Sequence, residues 1–153
     1  MNLAQRIMMV KKFDVFRGWR VQPTGFTYGR SDYGCTFREL EFYDGLNATG
    51  TVISSAANRT IVYEGTVNNQ FPPALAFDGN PSTRWSTAGD VSISWALGVT
   101  FPESVLAKSV RINPHQGFMP TAFAVQYTQN GVTWITVKEF FPPTSSDTFV
   151  GNF

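Results

Sequence analysis

With 153 residues, 42% of them hydrophobic, 15% aromatic and only 15% charged, the chain has the size of one domain and the means to bury a core, and its composition excludes disorder. A formal net charge of +1 gives no electrostatic basis for a nucleic-acid binder. No apolar run reaches the roughly 18 residues that a membrane-spanning helix needs, and the lone Cys35 can form no intrachain disulfide and reads as a buried thiol.

In chain order, residues 1–12 carry the one helical pattern, with Leu3, Ile7 and Val10 at spacings of four and three. Arg6, Lys11 and Lys12 flank a short mixed segment without the long apolar stretch of an export signal, so a product made in a cytosol is expected, in which the sequons at Asn47 and Asn58 mean little. This arm either docks on a neighbouring subunit or is a disordered tail. From Phe13 the pattern alternates. Val15, Trp19 and Val21 share one parity; Leu40 and Phe42 oppose Glu39, Glu41 and Tyr43; Ile93, Trp95, Leu97 and Val99 alternate with small or polar residues; so do Val110 with Ile112, and Phe123 with Val125 and Tyr127. A period of two means sheets with one buried face. Asn130-Gly131 predicts a tight turn into a strand over 132–137, while 24–34 and 65–73 read as loops. Residues 142–153 read as a loop-like tail whose apolar end (Phe149, Val150, Phe153) is free to dock elsewhere. The expected fold is therefore all-β: an antiparallel sandwich or jelly roll over 13–141, between an N-terminal arm (1–12) and a C-terminal tail (142–153). Trp85, Trp95 and Trp134 are assigned to its core. Binding is expected at the sandwich ends, where the loops gather.

The segment Ala74-Leu-Ala-Phe-Asp-Gly-Asn-Pro-Ser-Thr-Arg-Trp85 resembles the signature of discoidin domains, also called coagulation-factor type C or galactose-binding-like domains. Asp78, Gly79, Asn80, Thr83 and Trp85 fall in the family's order, and Ala76 stands one place from its usual small residue. Trp95–Phe101 and the hairpin Phe123-Ala-Val-Gln-Tyr-Thr-Gln-Asn-Gly-Val-Thr-Trp134 resemble later parts of the same pattern, with Gln129-Asn130 in place of the commoner pair. The likeness covers about 75–140. Trp19-Arg-Val21 and Phe37–Tyr43 resemble the closing strands of sugar-binding members, which usually come last. Here they come first, which implies a circular permutation, a cheap change when chain ends lie close. That order resembles bacteriophage virion proteins and implies such a setting.

Read from the residues alone, Asp78, Asn80 and Thr83 offer oxygen atoms within six residues, and hard oxygen ligands at short spacing suit Ca²⁺. The resemblance adds Glu39 as the carboxylate that completes a structural Ca²⁺ site, with backbone carbonyls at Leu75, Asn80 and Thr83. The plain alternative is that Asp78 only caps its own loop. For a glycan, which needs an aromatic face and a few convergent polar groups, the candidates are Arg84, His115, Gln116 and Phe118, with Tyr28, Arg30 and Tyr33 in an earlier loop. Against these stand an exposed loop histidine and an Arg84 paired with Glu39 or Asp90.

No nucleophile elbow, zinc-protease motif, phosphate loop or dinucleotide fingerprint occurs, and one His with one Cys leaves little for triads or zinc sites. A non-catalytic protein is expected. The leading reading is a structural component of a virus particle, a bacteriophage decoration, collar or tail protein. It would be held to other particle subunits through its arm and tail, in a homo-oligomer, without nucleic acid or membrane insertion. The alternative is a carbohydrate-binding, lectin-like module for attachment to a cell surface or polysaccharide.

Overall fold

The computed structural model describes residues 15–25, 34–87 and 95–153. The arm at 1–12 and the candidates Tyr28, Arg30, Tyr33 and Asp90 lie outside them. Nine strands follow in order: β1 (Gly18–Pro23), β2 (Thr36–Tyr43), β3 (Thr60–Glu64), β4 (Trp85–Ser86), β5 (Ala96–Thr100), β6 (Ser109–Pro114), β7 (Phe123–Thr128), β8 (Trp134–Phe140) and β9 (Phe149–Asn152). They form a five-stranded sheet, β3-β5-β1-β7-β8, and a four-stranded sheet, β4-β2-β6-β9. Every pairing is antiparallel. The result is the expected sandwich.

Alternation explains the packing. Trp19 and Val21 of β1, Leu97 and Val99 of β5, and Phe123 and Val125 of β7 point inward from one sheet. Phe37, Leu40 and Phe42 of β2, with Val110 and Ile112 of β6, meet them from the other. Strict alternation would send Phe37 outward with Glu39. The register against β6 shifts between Phe37 and Glu39, and this bulge returns Phe37 to the core, where it is fully buried. A bulge re-aims the side chains beside it, and Arg38 and Glu39 are the residues re-aimed here. Val15, expected to share the face of Trp19, precedes β1 and is exposed.

Two expectations need correction. The segment read as a loop-like tail ends in β9, whose Phe149–Asn152 pair with β6. Phe149 packs on Phe123 and Phe140, and Phe153 lies 5.2 Å from Trp19 between ring centroids. These apolar residues are spent inside the sandwich, so the domain boundary drawn at 141 falls within the fold. Trp134, assigned to the core, is only half-buried. It begins β8, an edge strand, and the guanidinium of Arg20 lies 4.4 Å above its ring. Arg20 also bonds Gln126 at 2.7 Å and pairs with Glu64, which makes this a polar lattice on the sheet's outer face. The Asn130-Gly131 turn is present but wider than expected, since Thr128 pairs with Trp134. Asn130 Oδ1 accepts from the N–H groups of Val132 and Thr133, and Gly131 takes φ 78°.

Candidate functional site

A 3₁₀ turn at Pro73–Ala76 drives Ala76 and Phe77 into the core and brings the chain back to the surface at Asp78. Gly79 follows with φ 71°, a conformation that favours glycine. Asp78 Oδ1 accepts the N–H of Asn80 at 2.9 Å, and Asn80 Oδ1 accepts that of Ser82 at 3.1 Å. The Thr83 hydroxyl lies 2.7 Å from Asp78 Oδ2 and 2.8 Å from the Asn80 carbonyl. Arg59 holds the Phe77 carbonyl from outside at 3.0 Å. The side chains of Asn80 and Thr83 are thus engaged in closing their own loop. Thr83→Val is expected to cost about 1 kcal/mol, the worth of an ordinary hydrogen bond, read as a lower thermal midpoint.

Glu39 stands differently. The Phe37/Glu39 bulge and the pairing of Glu39 with Asn113 and Glu41 with Arg111 place these four on the outer face of the four-stranded sheet. With Gly79 and Pro81 they line a cavity of about 290 Å³. Arg111 pairs with Glu41. Glu39 is 8% exposed, and its Oε1 has no hydrogen-bond partner. Burial first, then the negative charges of Asp78 and Glu41, push its carboxyl up to about 7, against the opposing pull of the Gly79 N–H. Among the expected metal ligands, the structure brings Glu39 and Asp78 together and keeps Asn80 and Thr83 as loop locks. Among the described residues no three acidic, His or Cys side chains converge. The fit to a cation therefore rests on one pair: a buried carboxylate with an unpartnered oxygen, raised in pKa by burial first and by its carboxylate neighbour second. That is the electrostatic situation a hard cation relieves.

At the end of the sandwich, next to this cavity along β2 and β6, a second cluster forms. His115 follows β6, and a turn closed by the Phe118 N–H on the His115 carbonyl (3.1 Å) gives Gln116 φ 43° and Gly117 φ 86°. Left-handed φ is costly for Gln and marks a constrained loop. Arg84 Nη1 lies 3.3 Å from His115 Nε2, and Arg38 Nε lies 3.4 Å from Nδ1. The Arg84 guanidinium covers the Phe71 ring at 4.3 Å. Burial, then the charges of Arg84 and Arg38, hold His115 below its usual range. Two of the expected glycan residues, Arg84 and His115, meet here, and Gln116 follows His115 on the exposed turn. Phe118 corrects its expectation: it is only 9% exposed and stacks parallel to His115 at 6.4 Å, so it supports the imidazole instead of offering an open face. Arg84 makes no ion pair with Glu39; Asp90, the other partner the alternative named, lies outside the described residues. Arg38 and Phe71 were missed. Arg38 sits at the bulge between Phe37 and Glu39 and reaches His115 from there, a placement that no sequence signal announces.

The F5/8 type C domain model matches residues 53–153, a span that takes in β3 to β9 but not β1 or β2. No curated protein and no solved structure matches the chain. The sandwich architecture, the Asp78 loop and a match over well over half of the 153 residues agree: the chain belongs to the F5/8 type C (discoidin) domain family, whose members are carbohydrate- or protein-binding modules and generally not enzymes.

Proposed function

We propose that this chain is a non-catalytic structural component of a virus particle, a bacteriophage decoration, collar or tail protein, that also binds a glycan at one end of its sandwich. The observation that carries the binding reading is the convergence of Arg38 and Arg84 on His115 at one loop end, with the Arg84 guanidinium over the Phe71 ring. Such a mix of ring faces and polar groups suits a sugar. The particle reading draws support from the outer strand β8 and the residues around it. Val132 is 80% exposed, Phe141 69%, Ile135 43% and Val137 42%. An apolar patch on a sheet edge suits packing against other subunits, copies of this chain among them, and the arm at 1–12 would add to that contact.

A permuted strand order is part of the same proposal. β1 and β2 precede the matched span yet lie within the two sheets, and the contact of Phe153 with Trp19 brings the last strand to the first. A structural Ca²⁺ would be held by Glu39 and Asp78, with carbonyl oxygens of the 75–83 loop completing its shell. Bound there, the ion supplies positive charge between two carboxylates.

A glycan array probed with the purified protein is expected to give hits that disappear in His115→Ala while the melting temperature holds. A blank array removes the glycan part of the proposal. Mass spectrometry of purified particles is expected to find the chain at a fixed copy number, and its absence removes the particle part.

A further inference from the structure

Arg38 and Arg84 form an unusual pair. Among the described residues the ion pairs are Arg20–Glu64 and Arg111–Glu41, so neither Arg38 nor Arg84 has the carboxylate of another described residue within 4.0 Å. Both aim N–H groups at the same imidazole, one at each ring nitrogen. A neutral imidazole carries a lone pair on one nitrogen only, and an imidazolium on neither. At most one of the two contacts is therefore a hydrogen bond, and the other sets donor against donor. Each guanidinium has five N–H groups and directs one of them at His115. The charges that act on His115 are both positive. Among the described residues the cluster holds two cations and a surplus of donors, with no carboxylate to meet them.

We infer that the His115 loop end binds the carboxylate of an acidic sugar, a uronic-acid type of residue, between the guanidinium groups of Arg38 and Arg84. A carboxylate brings two acceptor oxygens in the plane that matches a guanidinium fork. It supplies acceptors to the surplus donors and neutralises charge that no described carboxylate meets. Gln116, next to His115 in the chain and exposed on its constrained turn, is available to meet the sugar hydroxyls. The inference rests on the glycan reading above and narrows it from sugars at large to anionic ones.

The test is titration calorimetry of the full chain at low salt. The probes are an oligogalacturonate, a neutral galacto-oligosaccharide of equal length, and inorganic phosphate. The oligogalacturonate is expected to bind at least tenfold more tightly than either of the others. Arg84→Gln and Arg38→Gln should each remove most of that preference, while Arg84→Lys, which keeps the charge but loses the fork, should fall between. Thermal melts confirm that each variant folds. Equal binding of acidic and neutral probes, lost in His115→Ala, overturns the anionic assignment and leaves the glycan reading standing. Phosphate binding as tightly as the oligogalacturonate overturns the sugar assignment in favour of a general oxyanion site. No binding of any probe overturns both. An oligogalacturonate affinity unchanged in the folded Arg38→Gln/Arg84→Gln double variant overturns the assigned residues.

Discussion

Trp85→Ala is expected to lower the unfolding free energy by about 3–5 kcal/mol, the range for truncating a buried large aromatic. At this size each kcal/mol is worth about 2–4 °C, so the midpoint should fall by about 6–20 °C. Trp85 is fully buried. Its ring contacts Phe37 at 5.3 Å, Tyr63 at 5.8 Å and Trp95 at 5.0 Å. Phe37 belongs to the four-stranded sheet, whereas Tyr63 lies in the five-stranded one and Trp95 immediately precedes its strand β5, so the indole ties the layers together at this end. β4 itself has two residues and pairs with β2 only through Thr36–Ser86 and Phe37–Trp85. Little backbone pairing would hold the Asp78 loop in place without that ring. The indole N–H has no partner, and a buried unsatisfied donor costs about 1–3 kcal/mol. Trp85→Phe removes that donor along with some volume, so it should lose less than half as much as Ala. Trp134→Ala is the external control: half-buried and stacked under Arg20, it should cost about 1 kcal/mol. The argument fails if chemical denaturation puts Trp85→Ala no lower than Trp134→Ala.

The contrast between these two tryptophans shows what the chain reveals before it is folded. Period-two alternation located the inward residues of β1, β5, β6 and β7, because each of these strands keeps one face on the core. Trp134 carries the same hydrophobic signal as Trp85, but alternation says nothing about which strand stands at an edge. Edge position follows from sheet order, a long-range property. The tail went unread for a similar reason. Phe149 and Phe153 looked like apolar residues in search of a partner, and the partners, Phe123, Phe140 and Trp19, lie far away in sequence. The Asp78 loop was legible because its bonds are local, from Asp78 to Asn80 and Thr83. Glu39 could be matched to it only through family resemblance, and Arg38 could not be placed at all. Both depend on one bulge in β2, which no composition or spacing announces.

That bulge also underlies the second large effect. In the presence of chelator, the stability of the protein is expected to fall as pH rises from about 5 to 8. Glu39 has its carboxyl raised from an ordinary 4.5 to about 7, by burial first and by Asp78 second. A carboxyl raised on folding binds its proton more tightly in the folded state than in the unfolded one. Its contribution is therefore fully present below the unfolded value and is lost as pH climbs through the folded value. A rise from 4.5 to about 7 corresponds to about 3 kcal/mol at 1.36 kcal/mol per pH unit. Glu39→Gln keeps the shape and removes the charge, so its stability should be nearly flat over this window and should exceed that of the unsubstituted protein at pH 8. Calcium should act in the opposite direction to pH. At pH 8 Glu39 is past its raised value of about 7, and Ca²⁺ at a hundred times its Kd would restore about 3 kcal/mol by mass action. At pH 5 a proton occupies Glu39, and the same addition should do little. Asp78→Ala and Glu39→Gln should each abolish the calcium response. Melts recorded with chelator and with Ca²⁺ at both pH values separate the two causes. A pH slope that Glu39→Gln flattens, with no calcium effect, would mean that Glu39 is simply a buried acid. A calcium effect that persists in both variants would place the ion elsewhere.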